Sequence, residues 1–296
     1  MILNDKTVLE PFEYLSEVPG KDFRSKLISA FDQWIHVEDS KIQLIKDIVG
    51  MLHTASLLID DVEDDSELRR GQPVAHKIFG VASTINSANF VYFKALEKVL
   101  ELNIPEAVNV FTQELLNLHR GQGHEIYFRD AVTCPTQEQY LQMISNKTGG
   151  LLRLAVKLMT LCGHSVHDCV PLVDILGMHF QIRDDYINLL SSKYQDTKGF
   201  AEDLTEGKFS YPIVHFIQHN PEKQSKMLSI LRQRTHDLEV KKYAIKMLEK
   251  AGSLESTRLY LLEIEQQARQ VISSLGGNAI LEEMLSILSQ EYQKVF

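Results

Sequence analysis

Apolar residues recur at three- and four-residue intervals along almost all of this 296-residue chain, and alternating runs bounded by turn signals are hard to find. That pattern admits helices and little else. Phe23, Leu27, Phe31 and Ile35, four apart, line one stripe of a helix predicted over residues 21–36. Pro19-Gly20 stops an earlier helix over 8–15, and Arg69-Arg70-Gly71-Gln72-Pro73 stops a third over 39–65. Helices follow over 81–102 and 105–128. Thr133-Cys134-Pro135-Thr136 opens a shorter one that ends at Lys147-Thr148-Gly149-Gly150, and 151–162 continues as a strongly apolar helix. Pro171 opens the helix that carries QIRDDYINLL. Residues 191–207 lose the period and read as a mobile loop. Tyr211-Pro212 begins a helix to His219, ahead of three or so amphipathic ones. No low-complexity linker divides the chain, so the expectation is an all-α, single-domain protein over residues 1–296.

Charge and cysteine usage narrow the function. A net charge of -9 argues against nucleic acid as the main partner, because a polyanion calls for a basic face. Cys134, Cys162 and Cys169 show no paired metal-ligand spacing and are too few to staple a chain of this size, which points to a reducing compartment. The amino terminus lacks a signal or transit pattern, so cytoplasmic residence is the expectation. The longest apolar run, GGLLRLAVKLMTLCG, is broken by Arg153 and Lys157, so no transmembrane segment is expected.

The stretch LLIDDVEDDSELRRG packs five carboxylates before two arginines. On a helix, Asp60, Asp61 and Asp64 project within about 100° of one another. Like charges this close repel by a few tenths of a kcal/mol per pair (~0.2–0.5), so a cation is expected there. Magnesium, which takes carboxylate, phosphate and water oxygens, suits such a face better than zinc. The bland alternative is a solvated helix end. Asp184, Asp185 and Asn188 repeat the same i, i+1, i+4 spacing, with Gln181 one turn earlier. Two acidic faces of one pattern can oppose each other across a helical bundle, as metal sites often do. Lys21 and Arg24 lie i, i+3 on one helix, Arg69-Arg70 follow the first acidic face, and His53 precedes Asp60 by two turns at nearly the same angle. Singly, each is a surface charge, and His53 a partly buried histidine. Together they point to a second, metal-free anion site, since Arg offers a planar fork for phosphate oxygens and Lys a mobile point charge.

These residues resemble a known family. Asp60 to Arg70, Gly71-Gln72-Pro73, Lys147-Thr148-Gly149-Gly150 and Gln181 to Asn188, with NSANFVYF, LHRGQG and EDLTEGKFSYP, are similar to the signature regions of short-chain trans-prenyl diphosphate synthases, most closely the eukaryotic geranylgeranyl diphosphate synthases. The resemblance covers nearly the whole chain. It implies a helical bundle enclosing a deep cavity, an isoprenoid-synthase fold, and a homodimer or larger homo-oligomer. It also implies magnesium, as several ions per site, on Asp60, Asp61, Asp64, Asp184 and Asp185, with Asp61 and Asp185 supporting the other three. The allylic diphosphate falls to Arg69, Lys147, Thr148, Gln181, Lys198 and Lys208, and isopentenyl diphosphate to Lys21, Arg24, His53 and Arg70. Asn188 departs from the commonest pattern, which has aspartate there. The basic carboxyl-terminal tail of many farnesyl synthases is absent, which puts tail-mediated closure in doubt.

The implied reaction is the condensation of isopentenyl diphosphate with an allylic diphosphate. In the family, the residues four and five before the first aspartate gate product length; here they are Ser56 and Ala55, both small. Tyr92, Phe93 and His119 form a deeper floor by resemblance, and each further helical turn, about 5.4 Å, accommodates roughly one more isoprene unit. A twenty-carbon product follows. Rival readings are a farnesyl diphosphate synthase, a class I terpene synthase, and a non-catalytic partner of another synthase. Against the terpene synthase, Asn188 is followed by Leu189, which misses that class's usual second motif.

Overall fold

The helical spacing is realised in fifteen helices among the described residues of this computed structural model, which are 4–18, 20, 23–164, 167–190 and 200–293. They divide into two compact units, one of residues 1–116 with 151–170 and the other of 117–150 with 171–296.

In the first unit, α1 (Asp5–Ser16), α2 (Phe23–Ile35), α3 (Asp39–Glu63), α4 (Ala75–Phe79) and α5 (Val81–Glu101) pack around α3. The α3 stripe of Ile45, Ile48, Val49, Leu52, Ala55 and Leu58 is buried, as are Ala88, Val91, Ala95 and Val99 on α5. Each fully buried Leu or Ile contributes about 1.5–3 kcal/mol. Alanines where the two helices pack let their backbones approach closely. By length and composition α3 also suits a bilayer, with 33 % of its apolar window buried; it packs against α1, α2 and α5. The α2 stripe is as expected, with Leu27, Phe31 and Ile35 fully buried.

α6 (Pro105–Asp130) and α8 (Gly149–Cys162) run from one unit into the other, and α7 (Gln137–Lys147) belongs to the second. A capping box starts α7: Thr136 Oγ1 accepts from the Gln139 N–H at 3.1 Å, and Gln139 Oε1 from the Thr136 N–H at 2.9 Å. The second unit continues with α9 (Val170–Leu190), α10 (Glu202–Glu206), α11 (Tyr211–His219), α12 (Gln224–Gln233), α13 (Leu238–Lys250), α14 (Ser253–Ser274) and α15 (Ala279–Gln293). Its core joins Ile182, Tyr186 and Leu189 of α9 to Ile213, Val214 and Phe216 of α11 and Leu261 and Ile264 of α14. α15 is fastened by polar contacts: Tyr292 donates to Glu265 Oε2 at 2.6 Å, and Arg183 Nε of α9 to the Leu288 carbonyl at 3.3 Å.

Two expectations are corrected. α3 ends at Glu63, with Asp65 in a left-handed conformation at φ 51°, and the residues read as a plain helix stop form a hairpin. Leu68–Arg69 (β1) pairs antiparallel with Gln72–Pro73 (β2). Arg70 and Gly71 turn at φ 56° and 79°, the positive pair that a two-residue hairpin turn of type I′ demands. The second correction concerns the loop expected over 191–207: 191–199 fall outside the described residues, but Glu202–Glu206 is helical. Leu204 is buried there, and Lys241 Nζ reaches the Phe200 carbonyl at 2.6 Å and Glu202 at 3.5 Å.

Gly121 in α6 crosses α7 so closely that a Cβ would lie 2.8 Å from both Lys147 Cα and the Met143 carbonyl oxygen, whereas one on Gly123 would meet nothing within 4 Å. Gly121→Ala is expected to destabilise by about 1–3 kcal/mol, because backbone must move. Gly123→Ala is expected to be neutral or stabilising by up to about 1 kcal/mol. Thermal melts of the two variants check the contrast.

Candidate active site

The carboxyl end of α3 presents the first acidic group. Asp61 is buried, and Arg69 Nε donates to its Oδ1 at 2.8 Å while Nη2 reaches Asp60 Oδ2 at 3.2 Å. Carboxylate oxygens of Asp60 and Asp64 lie within 4.8 Å of one another. An all-oxygen donor set of this spacing fits magnesium, which asks one or two carboxylates of the protein. Asp61 works differently: its fixed partner is Arg69. Asp65 and Glu67 are largely exposed and share Lys77 at 3.1 Å each, as solvated charges beyond the helix end.

The hairpin turn sends the two adjacent arginines different ways. Arg69 returns to the aspartates, while Arg70 Nη1 donates to the Val18 carbonyl and, at 3.4 Å, to that of Leu15. Arg70 thereby joins Arg24 and His53. Burial lowers the Arg24 pKa to about 10, with Arg70 adding to the effect, and Arg24 Nε is buried without a hydrogen-bond partner among the described residues. His53 is held well below its usual range by burial and then by Arg24, Arg70 and Arg69, with Asp60 opposing. Several cationic groups around a neutral imidazole, with an unmet donor among them, form a site that an anion would relieve. Lys21 lies outside the described residues.

The second unit brings together most of the other predicted residues. Lys147, last of α7, pairs with Glu125 of α6. Thr148 Oγ1 donates to Gln181 Oε1, and Gln181 Nε2 to Asp185 Oδ1 at 2.9 Å. Asp185 also accepts from the Tyr140 hydroxyl and, at 2.8 Å, from the Tyr211 N–H. Burial raises its pKa to about 6, against the lowering effect of these three donors. Gln181 and Asp184 are half-buried and Asn188 is buried. Lys208 Nζ lies 2.6 Å from Glu206 Oε2. Lys198 lies outside the described residues.

The residues expected to set product length are dispersed. Ala55 is wholly buried beside Leu58, Ala88 and Val91, and half-buried Ser56 donates to the His53 carbonyl of its own helix at 2.9 Å. Tyr92 is half-buried, its phenol pKa raised first by burial and then by Glu63 and Asp60. Phe93 and His119, expected on a buried floor, are instead exposed, Phe93 by 71 %. Successive helical residues are about 100° apart, so a face that buries Val91 and part of Tyr92 turns Phe93 outward. Sequence reasoning passed over Glu125, Tyr140 and Tyr211. LHRGQG signalled the α6 stretch just before Glu125, and EDLTEGKFSYP contains Tyr211, marked there only as a helix start; nothing local marked Tyr140.

Residues 5–248 match the family model described as Polyprenyl synthetase. The chain is 55 % identical over 284 residues to a geranylgeranyl pyrophosphate synthase of Mucor circinelloides f. lusitanicus, covering 96 % of this chain and 93 % of that one. It is 54 % identical over 275 residues to geranylgeranyl pyrophosphate synthase spyE of Aspergillus fumigatus, covering 93 % and 77 %. A protein of Matsumurasca onukii named terpene synthase is 52 % identical over 284 residues, covering 96 % and 93 %. With a match over most of its length and an all-helical architecture, the chain belongs to the polyprenyl synthetase family.

Proposed function

We propose that the chain is a prenyltransferase that joins isopentenyl diphosphate to an allylic diphosphate, farnesyl, geranyl or dimethylallyl, and releases geranylgeranyl diphosphate. The observation that carries this reading is the pairing, within one unit, of an acidic site at Asp60 and Asp64 with a cationic site at Arg24, His53 and Arg70. A reaction of two diphosphates needs both. The relatives named geranylgeranyl pyrophosphate synthase support the product. The family match, which runs without a break through residues of both units, supports a single functional domain. Ile85, Phe93 and Leu100, exposed on α5, are apolar surface that a second copy would cover, which supports a homo-oligomer. Cytoplasmic residence goes with this reading.

Asp60, Asp64 and Asp184 would hold magnesium, which when bound supplies positive charge to the departing diphosphate. Lys147, Thr148, Gln181 and Lys208 orient the allylic diphosphate, and Arg69, fastened to Asp61, adds its charge. The allylic carbon–oxygen bond breaks with its electron pair on oxygen, and these cations stabilise the charge where it develops. Arg24, His53 and Arg70 fix isopentenyl diphosphate so that its double bond attacks the allylic cation. A new carbon–carbon bond forms, and a proton leaves the adjacent carbon for the diphosphate released. The name of the Matsumurasca relative favours a second reading, ionisation of one allylic diphosphate without isopentenyl diphosphate. The cationic site beside His53 has no use in that reaction.

Purified chain, magnesium, isopentenyl diphosphate and each allylic starter in turn are expected to yield a twenty-carbon diphosphate. A hydrocarbon formed from the allylic substrate alone would establish the second reading instead. Asp60→Ala and Asp184→Ala should each depress turnover by orders of magnitude with melting temperature little changed; near-normal rates in either would remove the metal assignment. Ser56→Phe should shorten the product and Tyr92→Ala lengthen it, read by chromatography of the dephosphorylated alcohols. Ser56 is the cleaner gate variant, because enlarging wholly buried Ala55 overpacks the core at about 1–3 kcal/mol.

His53 also predicts a pH dependence. Its folded pKa is lowered, so the unfolded chain binds a proton that the folded chain refuses as pH falls through the ordinary value of 6.5. Stability is therefore lost below that pH and retained above it. His53→Gln should flatten the fall in melting temperature between about pH 7.5 and 5.5; an unchanged slope would mean that His53 takes up its proton normally.

A further inference from the structure

Of the polar residues in the second acidic motif, Asp184 is half-open, while Asp185 and Asn188 are only 7 % and 4 % exposed. Their oxygens have an occupation of another kind. Asn188 Oδ1 accepts the Asp203 N–H at 3.2 Å. Asp203 is the second residue of α10, whose N-cap, Ala201, stands at φ 46° and has no side-chain cap to offer. Asp185 Oδ2 accepts the Tyr211 N–H at 2.8 Å. Tyr211 is the first residue of α11, whose N-cap, Ser210, makes no capping bond and keeps its hydroxyl buried without a partner among the described residues.

The opening N–H groups of a helix have no acceptor within it, and a serine, aspartate or asparagine at the helix start normally supplies one. Here both acceptors come from α9, 15 and 26 residues upstream. Between the two capped helices lie only residues 207–210, which carry Lys208. Its own N–H donates to the Asp203 carbonyl at 2.9 Å. The segment bearing Lys208 is thus tied at both ends to one face of α9.

We propose that Asp185 and Asn188 are positioning residues that cap α10 and α11 from a distance and so fix Lys208, leaving Asp184 as the metal ligand of the second motif. This rests on the reading of Lys208 as a contact of the allylic diphosphate. It gives position 188 a task for which a neutral amide oxygen suffices.

Hydrogen–deuterium exchange of the full chain, without substrate or magnesium, tests the capping itself. Asn188→Ala is expected to speed exchange across residues 202–212 by about tenfold, the scale of a lost cap, with other regions unchanged. Asn188→Asp, which keeps an acceptor oxygen, should restore protection. Asp185→Ala should do the same at Tyr211 as Asn188→Ala does at Asp203. Steady-state kinetics test the consequence. Asn188→Ala should raise KM for the allylic diphosphate by about tenfold and leave the magnesium midpoint within about twofold, whereas Asp184→Asn should shift that midpoint. In a Lys208→Ala background the effect of Asn188→Ala on KM should vanish. Unchanged exchange in both alanine variants would overturn the proposal, as would a magnesium shift in Asn188→Ala equal to that of Asp184→Asn. If no variant, nor the parent, condensed prenyl diphosphates, the proposed function would fall while the exchange data still decided the capping.

Discussion

The contact on which the first unit's chemistry depends is the pair of half-buried Arg69 with buried Asp61. Taking two charges out of water is costly, and removing one partner of such a pair typically costs about 3–5 kcal/mol because the other is stranded. Here the pair has a second effect. It places one guanidinium where it neutralises part of the acidic group while still depressing the pKa values of His53 and Arg70. Of the two adjacent arginines, Arg69 is the one paired with Asp60 and Asp61, while Arg70 turns to main-chain carbonyls. Asp60 and Asp64 stay close enough to share a cation, and Arg24 Nε has no hydrogen-bond partner among the described residues.

α9 solves a related problem in the second unit by using its sides differently. Gln181, Asp184 and Asn188 share one side, and His179 and Arg183 lie toward the other, where Tyr292 and the Leu288 carbonyl meet them. The carboxyl-terminal helix braces the back of the helix whose front carries the second motif. Asp185 is kept in a hydrogen-bonded shell of Tyr140, Gln181 and Tyr211, so its position is set by three elements at once.

Much of this was legible in the sequence because helical period and breaker residues act locally. The stripe of Leu27, Phe31 and Ile35, the boundary at Lys147 to Gly149, and the paired acidic spacings all depend on neighbours within a few residues. The hairpin at residues 68–73 was less visible: Gly71 and Pro73 read as a helix stop, and only the pairing of Arg69 with Gln72 turns that stop into a strand pair. Of the partners of Asp185, Gln181 is one helical turn away and was legible, but Tyr140 and Tyr211 lie 45 and 26 residues away in the chain, beyond any local rule. Phe93 and His119 were misplaced for another reason. Periodicity gives angles between residues on a helix, but which angle faces inward is decided by the packing of α5 and α6.

The contact of Arg70 with the carbonyls of Leu15 and Val18 has a bearing on how this protein can vary. Its acceptors are main-chain oxygens, so as far as this contact is concerned the side chains at those positions are free to drift. Spacing is not free. A residue gained or lost between Leu15 and Val18 would move one oxygen relative to the other, so the end of α1 should tolerate changes of letter far better than changes of length.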